Sequence, residues 1–199
     1  MNTHSRNPGL PATTQAAEGL ARRRWSVGEI EAMVAQGIIA EDERFELIGG
    51  EVVPMSPKGR RHEILREEIE HHLRQRGVTD VRIVAEPQLN LAEDTYAGPD
   101  LLLRPAKLRT PDIGGATALL VIEIADSSLA YDLGTKAGLY SAHGVRDYWV
   151  INAKTLETRV HRGPGPAGYR DITKVIAQDT LVSLLAPGLA IRLADLDLE

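Results

Sequence analysis

Three consecutive segments decide the fold of this chain: GPDLLLRP at residues 98–105, ALLVIEIADSS at 118–128 and LAYDLGTKAGLY at 129–140. In the second segment Glu123 interrupts an otherwise apolar run, which predicts a strand that is buried on both faces. An ionised carboxylate in such a strand costs several kcal/mol unless a cation or a metal ion pairs with it. The pattern therefore predicts that a positive partner meets Glu123.

The first segment places a second carboxylate beside a buried strand. Asp100 follows Gly98-Pro99 and directly precedes Leu101-Leu102-Leu103, so it lies at the mouth of that strand. If the strands of Asp100 and Glu123 are neighbours, the two carboxylates converge at one end of a sheet. Oxygen ligands of this kind suit Mg²⁺ or Mn²⁺ better than zinc.

The third segment supplies a lysine. Lys136 follows Glu123 by thirteen residues, in a stretch with helical character from Leu129 to His143. A lysine that leans back over the two carboxylates would stabilise negative charge that develops at a phosphate.

Each of these residues also has a plain structural explanation. An aspartate after Gly-Pro is a common turn residue, which would account for Asp100. Asp132 and Lys136 are four residues apart in the order that favours an exposed ion pair on a helix. Glu123 is harder to explain in this way, because its strand offers no solvated face. It is the combination of the three residues that indicates a site.

Length and composition indicate a single folded domain. The 199 residues include only one Phe and two Trp, so aliphatic side chains must build the core. We expect a flexible tail over residues 1–21, which is rich in Pro, Gly, Thr and Asn, and one domain over residues 22–199. The absence of cysteine excludes disulfides, thiolate metal sites and a cysteine nucleophile.

Hydropathy and charge limit the partners of the chain. No apolar run approaches the roughly 20 residues that span a membrane, and the N-terminus lacks the apolar core of a secretory signal. These features predict a cytoplasmic protein with no membrane partner. The formal net charge of −5 argues against strong non-specific binding of nucleic acid over the whole surface, although a local basic groove remains open.

A helix and a β-hairpin are predicted ahead of the central segments. Ser26-Val-Gly-Glu29 is a capping-box pattern that opens a helix, which stops at Gly37. Gly49-Gly50 separates two alternating segments, residues 44–48 and 51–55, and is a good signal for a two-residue hairpin turn.

The predicted hairpin carries a candidate third carboxylate. Glu46 joins the site if its face of the first strand looks toward Asp100 and Glu123, and otherwise it is an outward strand charge. Glu51, in the second strand, is a weaker candidate.

The remaining segments predict an amphipathic helix and further strands. Residues 60–76 form the helix, whose three histidines, His62, His71 and His72, have no tight metal-binding spacing; His62, near the helix start, is the one site candidate. Strands are predicted over residues 81–91, with a bulge or edge at Pro87, and over 147–152. Short strand-like pieces near 158–161, 169–173, 181–185 and 190–193 indicate a β-rich C-terminal part.

The order of these elements resembles the PD-(D/E)XK nuclease superfamily, and more closely the large bacterial family of restriction-endonuclease-like proteins called Uma-two. The resemblance covers residues 24–195 and is carried by RFELIGGEVVPMSP at 44–57, GPDLLL at 98–103, VIEIADSS at 121–128 and YDLGTKAGLYSAHGVRDYWVIN at 131–152. It implies an α/β (α+β) fold with a restriction-endonuclease-like mixed central β-sheet flanked by helices, an N-terminal β-hairpin and a β-rich C-terminal part.

The resemblance also implies a set of site residues. Asp100 matches the motif aspartate and Glu123 the second acidic residue, both of them metal ligands, and Glu46 matches an acidic residue of the hairpin that completes the metal site. The usual lysine position, two residues beyond Glu123, is Ala125 in this chain. In the family the lysine is taken to have migrated to the following helix, where Lys136 stands.

The activity implied by the resemblance is hydrolysis of DNA phosphodiester bonds by an endonuclease that uses Mg²⁺ or Mn²⁺. Asp100 and Glu123 would hold the metal, which lowers the pKa of a bound water, and Lys136 would orient that water or neutralise charge at phosphorus. A homodimer is expected, because cleavage of both strands usually needs two sites.

Two other functions fit the same residues. The chain could be a non-catalytic descendant of the nuclease fold that binds nucleic acid or a protein; the acidic balance and Ala125 favour this. It could also be a metal-independent structural or regulatory protein in which Glu123 is simply ion-paired with Lys136 in the core.

Overall fold

The computed structural model describes residues 23–198. The predicted N-terminal tail, residues 1–21, lies outside this range. The strands are β1 (Phe45–Ile48), β2 (Glu51–Pro54), β3 (Val81–Ala85), β4 (Leu89–Ala92), β5 (Thr95–Ala97), β6 (Leu101–Pro105), β7 (Leu120–Ala125), β8 (Asp147–Asn152), β9 (Thr158–Arg162), β10 (Asp171–Val175), β11 (Thr180–Val182) and β12 (Ala190–Arg192). The α-helices are α1 (Val27–Ala35), α2 (Arg60–Gln75), α3 (Leu129–Tyr131) and α4 (Ala137–Ala142), with short 3₁₀ turns at Thr110–Asp112, Gly115–Thr117 and Leu193–Asp195.

A six-stranded mixed sheet forms the centre of the fold, in the order β10-β9-β8-β7-β6-β3. The β7–β8 pair is parallel and the other pairs are antiparallel. The strand that follows Asp100 and the strand that contains Glu123 are neighbours, with Leu101 opposite Ile122, so the condition for convergence of the two carboxylates is met. Continuing this antiparallel register by one residue sets Asp100 opposite Glu123, so both carboxylates lie at the same end of the sheet.

A second sheet, in the order β2-β1-β5-β4, carries the predicted hairpin. Ile48 pairs with Glu51 across the two-residue turn. Gly49 and Gly50 have φ values of 56° and 78° there, which favour glycine because a side chain is strained in the left-handed region. The same sheet contains β5, which the sequence did not indicate.

One predicted strand divides between the two sheets. Residues 81–91 were expected to form a single strand with a bulge or edge at Pro87, but the structure has β3 in the six-stranded sheet and β4 in the four-stranded sheet. Glu86 between them has a φ of 48°, and Pro87 has no N–H to donate to a ladder. The chain therefore turns at Glu86-Pro87 and passes from one sheet to the other.

Both faces of β7 are covered, as the apolar run predicts. On one face Ile122 and Ile124 pack with the α2 residues Leu65 and Ile69 in the larger apolar cluster. On the other face, which Glu123 shares, the neighbours form a second cluster that includes Val121, Ala125, Tyr140 and Tyr148. The strand that carries Glu123 is thus covered by apolar side chains on both faces.

The predicted helix from Leu129 to His143 is present but is not uniform. Between α3 and α4, residues Asp132–Lys136 form a π-helical turn, and both end residues of this turn are buried. A π turn widens the helix locally, and such turns are frequent at functional sites. It brings Asp132 and Lys136 to the side of the helix that faces the sheet.

None of the helices within residues 23–198 combines the length and the apolar character that crossing a bilayer requires.

The turn Gly115–Thr117 packs closely against the C-terminal end of α4, and a substitution at Gly115 tests whether this contact stabilises the fold. An alanine Cβ at Gly115 would lie 2.2 Å from the carbonyl oxygen of His143, whereas one at Gly114 would lie 3.8 Å from the nearest atom. We expect Gly115→Ala to lower the free energy of unfolding by about 1–3 kcal/mol through overpacking.

Gly114→Ala is the matched control and should leave stability unchanged or raise it by up to about 1 kcal/mol, since both substitutions restrict the unfolded chain equally. Urea denaturation measures both variants. Equal stabilities would show that α4 is not fixed by this contact.

Candidate active site

The site lies where the ends of β6 and β7 meet. Asp100 and Glu123 are 4% and 3% exposed. Asp100 is fixed by the backbone of the neighbouring strand, because the Ile124 N–H donates to its Oδ2 at 2.7 Å. The register that brings the two carboxylates together is therefore reinforced by a side-chain hydrogen bond.

Lys136 reaches this site from the π-helical turn. Its Nζ lies 2.9 Å from Glu123 Oε1 and 2.9 Å from Glu46 Oε1. Tyr140, one turn further along the helix, donates to the same Glu123 oxygen at 2.9 Å. Glu46 is fixed in turn by the Gly98 N–H, which donates to its Oε1 at 2.9 Å. The positive partner that the sequence demanded for Glu123 is Lys136.

Two of the plain structural alternatives are wrong. Lys136 is 5% exposed and Asp132 is 3% exposed, so they do not form an exposed ion pair on a helix surface. Glu46 is 2% exposed and faces the site, so it is not an outward strand charge. Glu51, the weaker candidate of the hairpin, is exposed on β2. The π turn explains the first result, since it turns residues at helical spacing toward the sheet.

Asp100 has partners of its own, a histidine and a lysine. His62, the first buried residue of α2, places its Nε2 2.9 Å from Asp100 Oδ1. Lys58, in the loop between β2 and α2, places its Nζ 2.7 Å from the same oxygen. Lys58 also contacts Glu86 Oε1 at 2.6 Å. The structure therefore brings the candidate His62 into the site together with a lysine that the sequence did not single out.

The two central carboxylates differ in electrostatic environment. Burial raises the pKa of Glu123 to about 8, against the opposing charge of Lys136 and with support from the nearby carboxylates of Asp100 and Asp132. Burial would also raise the pKa of Asp100, but His62 and Lys58 outweigh it and hold that pKa below its ordinary value. Asp100 is thus the permanently ionised member of the pair, and Glu123 is the member that can take up a proton near neutral pH.

Lys136 stays charged in spite of its burial. Burial by itself lowers the pKa of a lysine, but Glu123 and Glu46 flank the ammonium and raise its pKa above the ordinary value. The ammonium donates a hydrogen bond to Glu123 Oε1 and forms an ion pair with Glu46 Oε1. A lysine ammonium has three donors, so the bond to Glu123 does not exhaust them.

The candidate residues line a cavity of about 350 Å³. Its lining contains two lysines, Lys58 and Lys136, and five carboxylates, those of Glu46, Asp100, Glu123, Asp126 and Asp132. The Tyr131 hydroxyl also lines the cavity, is buried and has no hydrogen-bond partner within residues 23–198. An excess of carboxylates and an unsatisfied hydroxyl are what a cavity needs to receive a cation and a polar ligand.

No group of three or more His, Asp or Glu side chains within the described part of the chain is close enough to hold a metal ion by itself. Each central carboxylate is instead paired with a cation of the protein. This does not conflict with a magnesium site, because Mg²⁺ is usually bound through one or two carboxylates together with substrate phosphates and waters.

The site contains residues that sequence reasoning missed. Lys58, Tyr131 and Tyr140 all contact the site residues or line the cavity, and none was predicted there. Tyr140 follows Lys136 by four residues, which is about one helical turn, so the helix itself could have suggested it. Tyr131 precedes Lys136 by five residues. Lys58 stands between Pro57 and Gly59 in a loop, where no periodicity fixes the direction of a side chain.

A solved structure shares this fold. The crystal structure of a protein described as a "putative nuclease belonging to DUF820" from Anabaena variabilis superposes with a TM-score of 0.66 at 15% sequence identity, covering 86% of this chain and 96% of that chain. The type IIG restriction endonuclease BpuSI matches with a TM-score of 0.41 at 14% identity, over 59% of this chain and 14% of its own. No curated protein matches the sequence.

The mixed sheet, with its acidic residues and lysine at one end, is of the restriction-endonuclease-like class. Residues 28–196 match the model of the Uma2 family, whose description is "Putative restriction endonuclease". The chain belongs to this family, and the resemblance noted in its sequence motifs is confirmed.

The contribution of Lys136 to stability can be tested by replacing it with an uncharged side chain. Lys136→Met leaves Glu46 and Glu123 buried without their cation, and we expect the free energy of unfolding at pH 7.5 to fall by about 3 kcal/mol or more. Lys154→Met is the control, because Lys154 is a half-exposed lysine that pairs with Asp126 at 3.6 Å and should cost less than about 1 kcal/mol. Chemical denaturation of both variants measures the difference, and equal losses would contradict the central role of Lys136.

The raised pKa of Glu123 predicts a pH dependence. Between its ordinary value of 4.5 and about 8, the folded state holds a proton on this group that the unfolded state has lost. Stability contributed by the group is therefore lost as the pH rises through this window. Glu123→Gln removes the titration, and its free energy of unfolding should decline less steeply than that of the wild type, by up to about 1.4 kcal/mol per pH unit. Parallel curves from pH 5 to pH 8 would refute the raised pKa.

Proposed function

We propose that this protein is a Mg²⁺- or Mn²⁺-dependent endonuclease that hydrolyses phosphodiester bonds of DNA. The observation that carries the proposal is the convergence of Asp100, Glu123 and Lys136 in the lining of one cavity, although they come from the start of β6, from β7 and from the π-helical turn. Membership of a family described as restriction endonucleases supports the choice of reaction and of DNA as substrate. A homodimer and a cytoplasmic location remain predictions.

The residues present fit a divalent cation. Asp100 and Glu123 would hold it, with Glu46 at the far side of Lys136 as the third acidic group of the cavity. When bound, the cation supplies a Lewis acid that polarises a phosphate and lowers the pKa of a bound water. The carboxylate oxygens and the surplus of negative charge in the cavity are the donor set that a hard cation prefers.

The chain's own residues position the reaction. Lys136 is held by ion pairs with Glu46 and Glu123, and its positive charge offsets the negative charge that develops at a phosphate oxygen in the transition state. Tyr140 and Lys136 fix Glu123 Oε1 from two directions, so this carboxylate cannot rotate freely. Tyr131 lines the same cavity, and its buried hydroxyl has no hydrogen-bond partner within residues 23–198.

A second candidate function is a binding module that has lost catalysis. It is favoured by one observation: both central carboxylates are already neutralised by protein cations, and no three-ligand cluster exists within residues 23–198. Such a protein would bind nucleic acid or a protein partner without a metal. Binding of Mn²⁺ by the folded protein separates this function from the nuclease.

Calorimetric titration of Mn²⁺, followed by a cleavage assay, tests the proposal. We expect the wild type to bind Mn²⁺ and the Asp100→Asn/Glu123→Gln variant to lose binding, because the variant lacks both anionic ligands. With Mg²⁺ or Mn²⁺ the wild type should convert supercoiled plasmid DNA to nicked or linear forms. Each single variant should be slower by at least about 100-fold.

Asp112→Asn is the control, since Asp112 is an exposed carboxylate on the turn Thr110–Asp112. It should bind and cleave like the wild type. Cleavage by Asp100→Ala at the wild-type rate would show the mechanism to be wrong. Absence of Mn²⁺ binding together with metal-independent binding of DNA would support the binding module instead.

A further inference from the structure

We propose that Lys58 is an exchangeable counter-ion. In the metal-free protein its ammonium is paired with the Asp100 carboxylate, and when a divalent cation binds it leaves Asp100 and remains paired with Glu86. The inference rests on the proposed function, because it concerns the cation that the nuclease would use. It assigns roles to two residues, Lys58 and Glu86, that neither the family resemblance nor the motifs indicate.

The first step is competition for one carboxylate. Asp100 Oδ1 is contacted by Lys58 Nζ at 2.7 Å and by His62 Nε2 at 2.9 Å, while Oδ2 accepts the Ile124 N–H. The hydrogen-bonding capacity of this group is largely used. A divalent cation that approaches Asp100 from the cavity is repelled by an ammonium in contact with the same oxygen. Either Lys58 or His62 must therefore move away from Asp100 Oδ1 before the divalent cation can bind there.

The second step is to identify which of these two side chains can move away from Asp100. His62 lies in the first turn of the 16-residue helix α2, is 5% exposed, and has its other ring nitrogen 3.2 Å from Glu63. Lys58 lies in the loop between β2 and α2 on a long, flexible side chain that is 14% exposed. The long side chain of Lys58 can withdraw by rotation about its own bonds, whereas His62 is short, more deeply buried and also in contact with Glu63.

The third step is to identify the group that Lys58 contacts after it leaves Asp100. Its Nζ already contacts Glu86 Oε1 at 2.6 Å. Glu86 is tethered to the site by its N–H, which donates to the Asp100 carbonyl oxygen at 3.0 Å, and its side chain is oriented by Arg44 at 3.0 Å. The lysine therefore keeps a carboxylate partner after leaving Asp100, so its charge is never left unpaired.

The cavities around Lys58 agree with this movement. Lys58, with Met55, Ser56 and Pro57, lines both the site cavity and a neighbouring cavity of about 550 Å³ that contains Glu86. The Lys58 side chain thus lies between the site cavity and the neighbouring cavity. Its withdrawal toward Glu86 opens the site on the side of Asp100.

Two substitutions with opposite expected effects test the proposal by calorimetric titration of Mn²⁺ alone. Lys58→Met removes the competitor and should tighten Mn²⁺ binding at least roughly tenfold. Glu86→Gln removes the second partner, so Lys58 stays on Asp100, and binding should weaken by about threefold or more. Lys58→Arg retains the competing charge and should stay within about threefold of the wild type.

Lys154→Met controls for a general change of charge near the cavity. Lys154 pairs with Asp126 at the cavity lining but does not contact Asp100, so Mn²⁺ affinity should stay within about twofold. Tightening equal to that of Lys58→Met would overturn the proposal.

The outcomes also separate this inference from the proposed function. If the wild type binds Mn²⁺ through Asp100 and Glu123 but Lys58→Met binds no more tightly, the exchange is refuted and the nuclease stands. If neither protein binds Mn²⁺, both proposals fail. Should Lys58→Met not fold, the weakened binding expected for Glu86→Gln still decides the question.

Discussion

The structure depends on one buried ammonium shared by two buried carboxylates. Lys136 contacts Glu46 from the four-stranded sheet and Glu123 from the six-stranded sheet, so a single cation joins the two sheets to the helix between β7 and β8. Two carboxylates removed from water and left unpaired would cost more than most single contacts in a domain contribute. The hairpin, the central strand and the π turn must therefore close together, and the cavity that they enclose is a consequence of this closure.

The position of the lysine follows from the packing around β7. In the superfamily pattern a lysine stands two residues beyond the second acidic residue, on the same strand face. Here that residue is Ala125, which is 1% exposed and lies in the apolar cluster with Tyr140 and Tyr148. A lysine at this position would have to enter an apolar cluster, and the ammonium of the site is supplied instead by the π-helical turn, whose Lys136 is buried.

The site divides its charges unequally between the two central carboxylates. Asp100, with His62 and Lys58, is held ionised, whereas burial leaves Glu123 with a raised pKa in spite of Lys136. Two titratable groups with pKa values pushed apart are the usual basis for assigning separate roles in a catalytic site. Under the proposed function, Asp100 is the carboxylate that would attract the cation, and the lysine in contact with it, Lys58, also contacts Glu86.

The sequence by itself determined the burial of Glu123, the hairpin at Gly49-Gly50 and the succession of α2, β6, β7, the following helix and β8, because these follow from local hydrophobic patterns and turn residues. It did not determine the division of residues 81–91 between two sheets, since the turn at Glu86-Pro87 could equally have been a bulge. Only the tertiary structure decided which cation meets which carboxylate. Glu46 and Lys136 are joined across 90 residues, and Lys58 stands in a loop without periodicity, so their directions depend on how distant elements pack.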